Sequence, residues 1–173
     1  MKLTWFGGTA FRIHIGGQII VVDAEQAIGV DSGELVSGAD IVTAMDAPHK
    51  PADGTNWTAR PIQRLLDADE SLRPAQIWTL GEGALLVDAD EDRPLLLLAG
   101  EPPALGRWVE KAVVVMAGDD LARRGAALLE SRRPHLIAFG GSDAARDQAF
   151  SMLPPLLDGA GLIALEPGLA VEV

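Results

Sequence analysis

The order of apolar segments changes partway along this chain, and that change limits the folds open to it. Up to about residue 99, short strand-like runs follow one another, and beyond it they alternate with helical stretches. Residues 3–6 are apolar, residues 9–15 alternate with Phe11, Ile13 and Ile15 on one face, and residues 18–23 carry Ile19, Ile20, Val21 and Val22. Gly16-Gly17 between the last two runs marks a two-residue hairpin, because glycine accepts the positive φ angles of such turns. A short strand at 41–43 and three more at 76–80, 84–87 and 95–99 extend this part, the last three separated by Gly81-Glu82-Gly83 and an acidic turn at 88–92. Residues 24–38 are polar and glycine-spaced, 44–56 reads as a loop with two prolines and a glycine near its end, and 63–72 as one helical turn or two.

The remainder has β-α-β order. A buried strand at 112–116 leads to a helix at 119–132 with Leu121, Gly125, Leu128 and Leu129 on one face. Asp119 and Asp120 suit the start of that helix, Arg132 and Arg133 its end, and Pro134 stops it. A strand at 136–139 follows, then Ser142 as N-cap of a helix running toward Met152, then strands at 162–165 and 169–173. Strands first and β-α-β units afterwards predict an α/β protein with mixed sheets and helices packed outside. With 173 residues and no linker, repeat or low-complexity stretch, the expected organisation is one domain spanning 1–173.

Composition removes several functions. The chain has no cysteine, which excludes disulfides, thiolate metal sites and cysteine nucleophiles. Twenty-five acidic against fourteen basic side chains give a net charge of -11, so neither nucleic acid nor an anionic membrane is an expected partner. Arg123-Arg124 and Arg132-Arg133 are interleaved with Asp119, Asp120 and Glu130, which predicts a solvated helix face. The N-terminus has no apolar run of signal-peptide length and the run at 95–99 is too short to span a bilayer, so the expected location is the cytoplasm.

Other motifs carry less chemistry. Gly140-Gly141-Ser142-Asp143, between a strand and a helix, has the form of an anion cradle, but a tight strand-to-helix turn needs the same glycines and the lysine of a P-loop is missing. Ser142 has no histidine or aspartate pattern around it, and Gly-x-Ser-x-Gly does not occur. Trp57, Trp78, Trp108 and Phe150 suit a pocket, an interface or the core, with Trp108 expected to be the most exposed. His14 and His135 read as exposed or capping residues.

The opening MKLTWFGGTAFRIHIGGQIIVVDA resembles the start of the small metallo-β-lactamase-fold hydrolases, in which a strand, a Gly-His pair, a Phe-Arg-Ile strand, a Gly-Gly turn and an aspartate follow in this order. Ala39-Asp40 before Ile41-Val42-Thr43 and the late Glu166-Pro167-Gly168 turn extend the resemblance. It implies an αββα sandwich, here in truncated form, and a metal loop of the form His-x-His-x-Asp-His after Thr43. That loop reads Ala44-Met45-Asp46-Ala47-Pro48-His49, so Ala44 and Asp46 stand for two histidines, Pro48 for the aspartate, and His49 alone remains. The first-turn histidine is Gly8, the late one is Gly141, and the bridging aspartate after the 95–100 strand is Glu101.

A zinc ion that generates hydroxide takes about three protein ligands and an open position, and alanine, glycine and proline side chains offer it none. The resemblance thus implies a degenerate, non-catalytic protein without a metal cofactor, serving as a binding or interaction module. As its partner, a second copy or a related subunit is expected. The residual pocket candidates are Asp23, Asp46, His49 and Glu101, with Asp23 suited to loop hydrogen bonding. The alternative is a rebuilt site in which Asp46, His49 and Glu101 hold one zinc, manganese or iron ion and hydrolyse a small ester, lactone or phosphodiester.

Overall fold

The computed structural model describes residues 1–61, 73–91 and 93–173; the predicted helical turns at 63–72 lie outside the described residues, as does Asp92. The first sheet begins with β1 (Lys2–Trp5), β2 (Phe11–Ile15) and β3 (Gln18–Val22), paired antiparallel in succession. Gly16 and Gly17 make the β2–β3 turn with φ angles of 55° and 75°, the conformation that their lack of a side chain permits. β4 (Ile41–Thr43) joins β3 in parallel and β12 (Ala170–Glu172) joins β1 antiparallel, giving the order β12-β1-β2-β3-β4.

The second sheet has the order β11-β10-β9-β8-β7-β6-β5. Its members are β5 (Lys50–Pro51), β6 (Gln76–Gly81), β7 (Ala84–Asp88), β8 (Leu95–Leu98), β9 (Val113–Ala117), β10 (Leu136–Gly140) and β11 (Gly161–Ala164). β8 to β11 run parallel, whereas β7 is antiparallel to both its neighbours. The continuous apolar runs of β7, β8 and β9 follow from burial on both faces. Leu85, Val87, Leu95, Leu97, Val113 and Val115 meet Leu3, Ile13, Ile15, Ile20 and Val22 of the first sheet. Their alternates Ala84, Leu86, Leu96, Leu98, Val114 and Met116 face the other way, against α2 (Leu121–Ser131) and α3 (Asp143–Met152). Each fully buried leucine contributes about 1.5–3 kcal/mol, so these strands form the most strongly held part of the molecule. On the outer face of the first sheet, Val21 and Ala24 pack against Leu35 of α1 (Ser32–Val36). The layers are helix, sheet, sheet, helix: an αββα sandwich.

Several local details refine or overturn these expectations. The predicted loop at 44–56 contains the two-residue strand β5 paired with β6, and the polar stretch 24–38 contains a 3-10 turn at Ala24–Gln26 and α1. Asp31 caps α1 by accepting from the Glu34 amide at 3.2 Å, and the guanidinium of Arg12 holds the carbonyls of Leu35 and Ser37. Arg124, expected on a solvated face, is only 4% exposed. Asp120 takes a left-handed conformation at the start of α2 and its side chain makes no cap; its carboxylate lies 3.5 Å from Arg123. Trp108 belongs to a 3-10 helix at Arg107–Lys111, is half-buried, and donates its indole N–H to the Gly54 carbonyl at 2.6 Å. Trp57 packs edge-on against both Trp78 and Trp108, whereas Phe150 is the exposed aromatic of the four.

Candidate functional site

Strand direction gathers several turns at one end of the sandwich. β1, β3 and β4 point the same way in the first sheet, and β8 to β11 do so in the second. Their carboxyl ends lead into Gly7-Gly8, Asp23, residues 44–49, Gly100-Glu101, Gly118-Asp119, Gly141-Ser142 and Glu166-Pro167. Trp5 joins the two halves. Its ring lies over Gly140, where an added Cβ would approach to 3.0 Å, and its indole N–H donates to the Gly8 carbonyl at 3.0 Å. The result is a cleft of about 330 Å³ lined by Trp5, Gly7, Gly8, Ile28, Gly118, Asp119, Gly141, Ser142 and Pro167.

Asp23 ties the first-sheet turns together. Its backbone is left-handed at φ 48°, its carboxylate accepts from the Thr9 hydroxyl at 2.5 Å and from the Met45 amide at 3.1 Å, and its amide donates to Thr43 at 2.9 Å. One carboxylate oxygen thus fixes the loop after β4 and the other the turn between β1 and β2. His49 lies at the far end of that loop with Nε2 2.8 Å from the Thr43 hydroxyl, and Asp46 is exposed. Glu101 turns away toward α2, where Arg123 donates to both its oxygens at 2.5 and 3.1 Å. Those hydrogen bonds hold the Glu101 carboxyl below its usual range.

The structure therefore brings Asp23 to the loop after β4 but does not assemble Asp46, His49 and Glu101. Among the described residues no group of three or more histidine, cysteine, aspartate or glutamate side chains is placed to hold a metal ion. The late histidine position has also lost its space. A Cβ on Gly141 would stand 2.6 Å from the Gly118 carbonyl oxygen and 2.9 Å from Leu121, so backbone occupies the place of a ligand's stem. The residues present do not fit a catalytic zinc.

Two residues with a part in this end of the fold escape a sequence reading. Arg124 on α2 donates to the carbonyls of Leu98 (2.9 Å), Ala117 (2.8 Å) and Asp119 (3.3 Å), linking the ends of β8 and β9 to the turn beyond. Burial lowers its pKa from the ordinary arginine value. Arg146 on α3 donates to the Leu165 carbonyl and to Glu166, both at 2.7 Å, and pairs with Asp143. Ser142 caps α3 as predicted, accepting from the Ala145 amide at 3.3 Å. His14 is half-buried on β2, and His135 is exposed ahead of β10.

No family model matches the sequence, and no curated protein matches it. Solved structures do. Igni18, a metallo hydrolase from the hyperthermophilic archaeon Ignicoccus hospitalis, superposes with a TM-score of 0.50 at 16% identity, over 99% of this chain and 98% of that one. A protein from Thermotoga maritima, described as a Zn-dependent hydrolase of the metallo-β-lactamase superfamily, gives a TM-score of 0.52 at 16% identity, over 96% and 99% of the two chains. At that identity the likeness is one of fold. This chain has the same αββα fold as these two metallo-hydrolase structures.

Proposed function

We propose that this protein is a degenerate member of its fold class, a binding module that works without a catalytic metal. The observation that carries the reading is the donor set at the strand ends: Gly8, Ala44 and Gly141 provide none, and the carboxylates of Asp23 and Glu101 are taken up by Thr9, Met45 and Arg123. The cleft between the sheets remains and is lined mainly by apolar groups and backbone. A pocket of that size suits a small ligand.

The names of the fold neighbours favour a second reading, a metal-dependent hydrolase, for which a small ester, lactone or phosphodiester is the proposed substrate. It requires Glu101 to leave Arg123 and His49 to leave Thr43 so that both reach Asp46. Elemental analysis of protein purified without chelator, followed by calorimetric titration with zinc, manganese and ferrous ions, separates the two. We expect no stoichiometric ion. One ion per chain, lost in His49→Ala together with a chelator-sensitive hydrolysis, would establish the hydrolase instead.

A further inference from the structure

We propose that the cleft between Gly8 and Gly141 binds a compact apolar cation, an alkyl- or arylammonium group, with Asp119 as its counter-ion. The proposal rests on the metal-free reading above and names the ligand class for the same site. Three features of the cleft lead to it. Its side-chain walls are Trp5, Ile28 and Pro167, and most of the remaining lining is glycine backbone, so an occupant gains chiefly by removing apolar surface from water. Ile28 is 73% exposed in the lining, where an occupant of the cleft would cover it.

The second feature is charge. Asp119 is the one ionisable side chain in the lining, and its carboxylate has no hydrogen-bond or ion-pair partner among the described residues. The neighbouring cations are engaged elsewhere. Arg123 is held by Glu101 and Asp120, and the Arg124 guanidinium is directed at main-chain carbonyls, including that of Asp119 itself. A carboxylate at the mouth of an apolar cleft, on a chain of net charge -11, attracts a cation and repels a carboxylate or phosphate.

Third, the features that would favour an anion are already compensated. The α3 N-terminus opens on the cleft through Ser142, but Ser142 satisfies the Ala145 amide, and Asp143 sits in the first turn beside Arg146. Ser142 retains a hydroxyl hydrogen and Gly8 a carbonyl lone pair, which can orient the ammonium or a bridging water.

Three probes of one shape test this: benzylammonium, benzyl alcohol and benzoate, titrated at low salt while the amide signals of Gly8, Gly118 and Gly141 and the Trp5 indole signal are followed by NMR. Benzylammonium is expected to bind about three to ten times more tightly than the alcohol, a ratio that shrinks as salt screens the exposed pair. Benzoate is expected to bind more weakly than either. Asp119→Asn, a change on an exposed turn, should bring the ammonium to the affinity of the alcohol and leave the alcohol unaltered, whereas Ile28→Ser should weaken both. Equal binding of the three probes, tighter binding of benzoate, no binding, or an ammonium affinity that survives Asp119→Asn would each overturn the proposal. The metal titration is run on the same sample. A stoichiometric ion there removes the metal-free reading itself, while ion-free protein that ignores benzylammonium removes only this inference.

Discussion

The same end of the sandwich is held in two different ways. In the second sheet, buried guanidinium groups reach from the helices to the last carbonyls of the strands: Arg124 to β8, β9 and the turn after β9, and Arg146 to the residue after β11. In the first sheet, the loop after β4 hangs on one carboxylate, that of Asp23, and on a contact between His49 and Thr43. Five donors in a fixed fork let one arginine serve several carbonyls, which a carboxylate acting only as acceptor cannot do. The difference indicates that buried guanidinium groups organise the half where α2 and α3 pack, while Arg12 in the first sheet serves the end of α1 and not the loop after β4. The other half keeps a loop whose geometry depends on few bonds.

Removing the fork should therefore have the largest effect. Arg124→Met leaves the carbonyls of Leu98 and Ala117 without their donor in a buried setting, and we expect a loss of about 3 kcal/mol. Urea unfolding with an unchanged m-value would measure it. Arg124→Lys should recover little, because a single ammonium cannot reach both strand ends at once. Arg146→Met should cost less, since it strands one buried carbonyl, that of Leu165, instead of two, while Asp143 and Glu166 are solvated and regain water when released. If Arg124→Met proves as mild as an exposed substitution, the contrast between the two halves fails.

Much of this architecture is legible in the sequence. Alternation in β2, the Gly16-Gly17 turn and the doubly apolar runs of β7 to β9 each have a periodicity that only one environment explains. Loss of ligands is legible as well, because alanine, glycine and proline cannot coordinate through side chains whatever their surroundings. Arg124 is a different case. It lies three residues after Leu121 and four before Leu128, on the apolar stripe of α2, and a pattern that scores arginine as solvent-facing misses a guanidinium whose acceptors are remote carbonyls. Five-residue α1 is too short to display a helical period. The cleft is invisible for a third reason: Trp5, Ile28, Gly118, Gly141 and Pro167 are far apart in the chain and meet only through the apposition of two sheets.

On the first-sheet side, Asp23→Ala removes the acceptor for Thr9 and Met45 and places alanine at φ 48°, so a cost of about 1–2 kcal/mol is expected. Asp23→Asn should cost less, since its amide oxygen still accepts one of the two bonds and asparagine tolerates the left-handed region. Amide exchange at 44–47 should quicken in Asp23→Ala while that at 117–119 stays unchanged. Equal acceleration at both places would show that the two halves are coupled.

The smallest expected effect is a pH dependence confined to the first sheet. Partial burial, then Arg12 and Lys2, lower the pKa of His14 from its ordinary 6.5, while Glu172 and Glu91 line the same groove. Because the native imidazole resists protonation, the unfolded chain binds more protons between the lowered value and 6.5, and stability rises with pH across that window. The contribution is complete above 6.5 and fades as pH falls through the window toward the lowered value. His14→Gln should flatten that part of the stability profile in chemical denaturation and leave the rest in place. Arginine does not titrate in this range, so Arg124→Met should shift the whole profile downward without altering its slope near neutrality. A slope that persists in His14→Gln would place the titrating group elsewhere.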